Sequence, residues 1–300
     1  MNRRALRVYL LALLTALMWL AVPRSALAYC VKTTCDRKSA DCAIDADGCA
    51  NEGAPLRWTR MPIPFRFAQK GTKRLINEEV RQEIRAAFFR WTEVTCGGRR
   101  TSLRFTEQEM FDGDKPLPLA TPPYKSQPAD EPFAIFFRDD TWPNPRTQGE
   151  TIAQTNTNFL PGNGHIRYVD IEINTADFEF SLSDSLEKAQ GKKDIQAVIT
   201  HEVGHYIGLD HSLAPLSIMV AGYCETAQRC SGDVAKSRRL QTDDINAVCA
   251  LYPPGATYGE DDSSGCQTSP GGTRASWPAL AMALGVVVAA VWRRRMFAAR

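Results

Sequence analysis

Three of the four histidines in this chain fall within eleven residues, His201-Glu202-Val203-Gly204-His205-Tyr206-Ile207-Gly208-Leu209-Asp210-His211. Residues four apart share one face of a helix, so His201 and His205 can present two imidazoles to a single metal ion while Glu202 stands beside it. Gly208 ends that helix, because glycine accepts the positive φ that swings the chain round and returns His211 as a third ligand. Three neutral nitrogens with an open fourth place suit one catalytic zinc ion, Zn2+. Zinc held this way lowers the pKa of a water to about 7, and Glu202 is the group to take the remaining proton and hand it to a departing amine. A purely structural zinc site has no use for this carboxylate and fills its fourth position with cysteine or histidine.

The elements that must carry the cluster are legible from periodicity. From Asn77 to Thr92 the apolar residues Val80, Ile84, Ala87, Phe88 and Trp91 recur at spacings of three and four, one face of an amphipathic helix. Ile63 to Phe67 reads as a first strand whose prolines favour an edge or an end. Leu103–Thr106, Phe133–Arg138 and Thr151–Phe159 are further strand candidates, and the proline-rich stretch Gly113–Pro132 between the first two reads as loop. After a Pro161-Gly162-Asn163-Gly164 turn, His165–Ile173 alternates, with Ile166, Tyr168, Asp170 and Glu172 on one face and Arg167, Val169, Ile171 and Ile173 on the other. The site helix starts near Lys193 or Asp194. A third helix starts near Thr242, with Thr242-Asp243-Asp244 as cap and dipole-compatible acids before Ile245, Val248 and Leu251.

His201 to His211 with the following Ser212, and Ser217-Ile218-Met219 downstream, resemble a metzincin metallopeptidase, and the serine after the third histidine is similar to the matrixin branch. The likeness runs from roughly Pro62 to Pro253. It implies an α+β catalytic domain with a twisted, mixed, five-stranded sheet and three main helices. It matches Met219 to the Met-turn, an apolar floor beneath the metal, and Tyr223 to the tyrosine of the specificity pocket. Thr151-Ile152-Ala153-Gln154 resembles the edge strand that holds substrate, where an extended peptide would add by backbone pairing. The implied activity is that of a zinc metalloendopeptidase with protein or peptide substrates. The chain departs from the family in having Gln154 where a histidine ligand of a second, structural zinc is expected. His165 then reads as a surface residue at a strand end. Calcium, often present in the family, has Asp170, Glu172 and Asp177 as candidate ligands, although exposed strand acids are the simpler reading.

The two ends of the chain point to export. Met1–Ala28 has an arginine-rich start, an apolar run from Val8 to Val22 and the small residues Ala26 and Ala28 around Leu27, a signal-peptide pattern. All nine cysteines lie beyond it, so pairing is the default in an oxidising compartment. Cys266 is read as the odd one. The other eight allow 105 connectivities, which the sequence leaves open. Four of them lie in a leader with little apolar periodicity, a stapled cap without a core of its own, and pairing rather than zinc-capping is expected of each. The apolar segment Trp277–Trp292, bracketed by tryptophans and followed by Arg293-Arg294-Arg295, reads as a membrane span with a cytoplasmic basic tail. Gly265-Cys266, that span and the arginines together resemble the C-terminal sorting signal of myxobacterial surface proteins, in which the cysteine marks surface attachment.

The expected organisation is a signal peptide over 1–28, a disulfide-rich N-terminal leader over 29–60, the peptidase domain over 61–255 and a linker with the sorting cysteine Cys266 over 256–274. A transmembrane helix over 275–292 and a basic tail over 293–300 complete it. The product is expected in the cell envelope, membrane-anchored or at the cell surface, or released extracellularly. Nucleic acid is excluded as a partner. Nine of the 36 basic residues are arginines of the two terminal segments, so the stretch between Tyr29 and Gly265 carries about −7 despite a formal net charge of +2. Two rivals stay open: a catalytically inactive surface binding module that uses zinc as a structural staple, and a membrane-anchored adhesion component.

Overall fold

The computed structural model describes residues 29–35, 41–113, 133–143, 149–182, 192–222 and 238–258. The expected signal peptide, most of the proline-rich loop, Tyr223, Cys224, Cys230, Cys266 and the expected span over 275–292 lie outside the described residues. Among the described residues no helix is long and apolar enough to cross a membrane.

In chain order the elements are β1 (Ile63–Phe67), α1 (Asn77–Thr92), β2 (Thr95–Cys96), β3 (Arg99–Arg100), β4 (Phe105–Glu107), β5 (Ala134–Phe137), β6 (Ala153–Phe159), β7 (Ile166–Ile173), β8 (Phe180–Ser181), β9 (Lys193–Asp194), α2 (Ile195–Tyr206) and α3 (Thr242–Leu251). The main sheet has five strands in the order β4-β1-β5-β7-β6. β4, β1, β5 and β7 run parallel, and β6 returns antiparallel along β7 from Ala153↔Ile173 to Phe159↔Ile166. This is the mixed α+β sheet with three helices that the sequence indicated.

The helix faces follow from spacing. On α1 the buried residues are Val80, Ile84, Ala87, Phe88 and Trp91. Phe88 stacks on Phe65 of β1 at 4.2 Å, and Trp91 donates its indole N–H to the Thr200 carbonyl of α2 at 3.0 Å, which fixes one helix against the other. Burying each such side chain contributes about 1.5–3 kcal/mol before the entropy of ordering it. α2 is buried almost all round, as a helix enclosed by the protein must be. Its N-cap is Asp194, which accepts from Gln196 N at 3.0 Å and Ala197 N at 3.4 Å and pairs with the Arg238 guanidinium.

Four expectations are corrected. β1 lies between β4 and β5 rather than at the sheet edge, and of the two expected places its prolines take the end, Pro64 being the second residue of the strand. Pro64 is tolerated because β4 pairs with Ile63–Phe65 and β5 with Arg66–Phe67, so the strand is flanked on one side at a time. β7 does not show one face to solvent. Asp170 and Glu172 are 1% and 6% exposed, the first accepting from Ala134 N at 3.1 Å and the second from Arg138 Nε at 2.6 Å and Asn156 Nδ2 at 2.7 Å. They are buried and hydrogen-bonded rather than exposed strand acids, since a sheet-interior carboxylate must be satisfied internally. The cap of α3 is Gln241, one residue before Thr242, in a reciprocal capping box with Asp244. Finally, β6 begins at Ala153; Thr151 and Ile152 before it are bonded to Asn174, just past β7, whose Nδ2 donates to the Thr151 carbonyl and whose amide donates to the Ile152 carbonyl, both at 2.9 Å.

The leader cysteines pair as Cys30–Cys49 and Cys35–Cys42, and a third bridge, Cys96–Cys249, joins β2 to α3. The leader has no separate core. Leu56 and Trp58 enter the main hydrophobic cluster, and its backbone bonds reach straight to the loop after α2.

Candidate active site

The imidazoles of His201, His205 and His211 converge, with one ligand atom of each lying within 4.8 Å of the others. His201 and His205 come from one face of α2. His211 follows the turn at Gly208, whose φ of 97° only glycine adopts without strain. A Cβ at Gly208 would also stand 2.2 Å from the Leu56 carbonyl oxygen, so the leader crosses against bare backbone there.

Two of the rings are oriented from behind. His201 Nδ1 lies 2.7 Å from the Ile218 carbonyl oxygen, and His205 Nδ1 lies 2.8 Å from that of Leu209. An Nδ1–H donated to a carbonyl leaves the Nε2 lone pair directed forward, the usual support of a ligating histidine. His205 Nε2 and His211 Nε2 are 3.2 Å apart. Two nitrogens at zinc-bonding distance with a tetrahedral angle lie about 3.3 Å apart, so these residues fit a zinc ion. Burial holds His205 well below the ordinary histidine pKa, helped by the positive charge of Lys32 and by its two neighbouring histidines, and so keeps it in the neutral form that a metal requires.

Glu202 is on the same helix, 6% exposed, and its carboxylate Oε2 accepts a hydrogen bond from the Thr155 hydroxyl of β6 at 2.5 Å. Met219, downstream of the third histidine, is 2% exposed. A Cβ at Gly204 would meet its sulfur at 2.2 Å, so the glycine is what lets the thioether pack directly against α2.

The Met219 turn is gripped by α3. Asp244 accepts from the Ser217 hydroxyl at 2.5 Å and the Ile218 amide at 3.1 Å, Asp243 accepts from the Ser212 hydroxyl at 2.7 Å, and the Ser212 amide donates to the Met219 carbonyl at 2.9 Å. Burial raises the Asp244 pKa, against the hydrogen bonds it accepts from Ser217, Gln241 and Ile218. In the sequence these two acids read only as the start of α3. The leader bonds the segment that follows α2: the Lys32 amide donates to the Gly208 carbonyl at 2.8 Å, and the Asp210 amide donates to the Cys30 carbonyl at 2.9 Å.

Among the described residues β6 lies at the sheet edge, with β7 as its sheet partner. The preceding residues Thr151 and Ile152 are held by Asn174, which Asp177 holds in turn through its carboxylate at 2.9 Å. Neither Asn174 nor Asp177 was indicated as a support of this edge, because an asparagine beyond a strand end carries no periodic signal.

The matrixin family profile matches residues 57–253. The chain belongs to the matrixin family. Among relatives, it is 31% identical over 202 residues to Matrix metalloproteinase-25 of Homo sapiens, covering 65% of this chain and 29% of that protein. It is 28% identical to Metalloendoproteinase 4-MMP of Arabidopsis thaliana, covering 65% and 48%, and 24% identical to Matrix metalloproteinase-C of Caenorhabditis elegans, covering 67% and 29%. The matched region thus spans less than half the length of these matrixin relatives. Membership implies zinc, and the imidazole trio is the one cluster of metal-type ligands among the described residues of this matrixin. Gln154 instead donates to Asn156 Oδ1 at 2.6 Å, and the calcium candidates are engaged with protein groups, Asp177 accepting from Gly149 N at 3.0 Å. His165 is half-buried at the start of β7 and bridges Arg57 of the leader.

Proposed function

We propose that this matrixin is an exported zinc-dependent endopeptidase. The observation that carries the reading is the convergence of His201, His205 and His211, each of the first two oriented through Nδ1, with Glu202 beside them on the same helix. When bound, zinc supplies a Lewis acid for the scissile carbonyl and brings a water's pKa to about 7. Glu202 takes the proton of the attacking water and returns it to the leaving amine as the C–N bond breaks. Met219 packs an apolar floor beneath the imidazoles and keeps solvent from their rear. The peptide lies extended along Thr151–Gln154, paired through its backbone, with Tyr223 contributing to side-chain selectivity.

The ends of the chain extend the proposal. Residues 1–28 direct export, the apolar segment over 275–292 anchors the product in the membrane, and Cys266 is the sorting residue that passes it to the cell surface. The test of the catalytic reading is reversible chelation. Removing zinc should abolish cleavage of a mixed peptide library while circular dichroism retains the fold, and added zinc should restore the cuts. Unfolding on chelation, with no cleavage before it, would instead make the metal a structural staple.

A further inference from the structure

β6 alternates its side chains between two environments. Asn156 turns toward β7 and donates to Glu172 at 2.7 Å, whereas Thr155 turns toward α2. The Thr155 hydroxyl lies 3.1 Å from the Glu202 carbonyl oxygen and 2.5 Å from Glu202 Oε2. It therefore meets both the backbone and the carboxylate of the same residue, across the junction between the edge strand and the site helix.

We infer that Thr155 is a positioning residue that sets the orientation of the Glu202 carboxylate. The inference rests on the endopeptidase reading and deepens it. Glutamate has three side-chain torsions, and the last is broad, so a carboxylate without a fixed partner samples a range of orientations. A charge-assisted bond to Oε2 narrows that range and leaves Oε1 for the attacking water. Because Thr155 adjoins Gln154 on the proposed peptide-binding edge, the same strand that aligns the peptide also aligns the base, and reacting geometry of this kind governs the rate. One hydroxyl proton serves both acceptors, and the shorter contact gives the carboxylate the larger share.

The experiment compares zinc-loaded wild type, Thr155→Val and Thr155→Ser. Valine keeps the branch, volume and strand preference and deletes only the hydroxyl; serine keeps the hydroxyl and deletes a methyl. The expected result for valine is kcat lower by about 10- to 100-fold, KM within about twofold, and unchanged zinc content and melting temperature, with serine recovering most of the kcat. Crystal structures should show the Glu202 carboxylate in one orientation in wild type and Thr155→Ser, and rotated or spread in Thr155→Val. Wild-type kcat in Thr155→Val, a loss that serine does not rescue, or one Glu202 orientation in all three proteins overturns the inference alone. If wild type with a full zinc complement cleaves nothing, the endopeptidase reading fails, and the crystallographic comparison still decides whether Thr155 orients Glu202.

Discussion

The backbone amide of Lys32 donates to the carbonyl oxygen of Gly208 at 2.8 Å, so the leader is bonded to the turn that delivers the third imidazole. The bond belongs to a small ladder, with Val31 opposite Leu209, Asp210 N donating to Cys30, and Leu56 N donating to Lys32. The carbonyls at the end of α2 are satisfied by the same neighbourhood, Tyr206 accepting from the Trp58 indole at 2.8 Å and Ile207 from the Tyr252 hydroxyl at 2.7 Å. A helix end buried in the core needs such partners.

Breaking the leader staple should therefore loosen the metal site. Cys30 and Cys49 are 19 residues apart and Cys96 and Cys249 are 153 apart, so loop-closure entropy assigns them about 3 and about 5 kcal/mol respectively. Urea unfolding should show the larger loss for the Cys96→Ser, Cys249→Ser pair. Zinc release to a chelator should accelerate more in Cys30→Ser, Cys49→Ser, because that leader strand bonds Gly208 and Asp210. Zinc release at the wild-type rate in the leader variant would contradict the clamp.

Gly208→Ala tests the turn itself. Its φ of 97° and the Leu56 carbonyl 2.2 Å from the new Cβ leave no relaxed solution, so the variant should lose upward of about 2 kcal/mol and hold zinc more weakly. Isothermal titration of the metal-free protein with zinc measures it. An unchanged zinc affinity would mean that the turn does not position His211.

Asp139 gives a pH signature away from the metal. It is 9% exposed and accepts from the Thr72 hydroxyl at 2.8 Å, the Thr175 hydroxyl at 2.6 Å and the Lys73 amide at 2.7 Å. Burial pushes its pKa up, but those bonds and the Arg74 charge outweigh it and hold the carboxyl below the ordinary aspartate value. A depressed carboxyl stabilises the fold above its unfolded pKa of about 3.9 and loses that contribution as pH falls through its folded value. Asp139→Asn should thus cost about 1–3 kcal/mol at neutral pH, with the gap to wild type closing in acid. Melting curves from pH 7 to pH 3 check this, and a gap that stays constant would contradict it.

The legible parts of the molecule are those in which side-chain identity repeats with the geometry. Val80, Ile84, Ala87, Phe88 and Trp91 mark the buried face of α1 one by one, and the spacing of His201 and His205 fixes their common face on α2. Backbone pairing has no such signature. The ladder between Cys30–Lys32 and Gly208–Asp210 uses amides and carbonyls that any residue carries, and the cysteine partners depend on where the chain folds back. The grip of Asp243 and Asp244 on Ser212 and Ser217 was hidden because helix capping alone accounts for acids at that position. Asp170 and Glu172 misled because strict alternation reads as one solvated face, whereas both faces of β7 are covered.

The central claim is that the imidazole trio holds the metal and Glu202 works on the water beside it. Zinc content and peptide cleavage measured together on Glu202→Ala test it most directly. One zinc per chain should remain while cleavage falls by at least about 1000-fold, since the ligands are intact and the proton acceptor is gone. Cleavage at the wild-type rate in Glu202→Ala, or no zinc in either protein, would contradict the account.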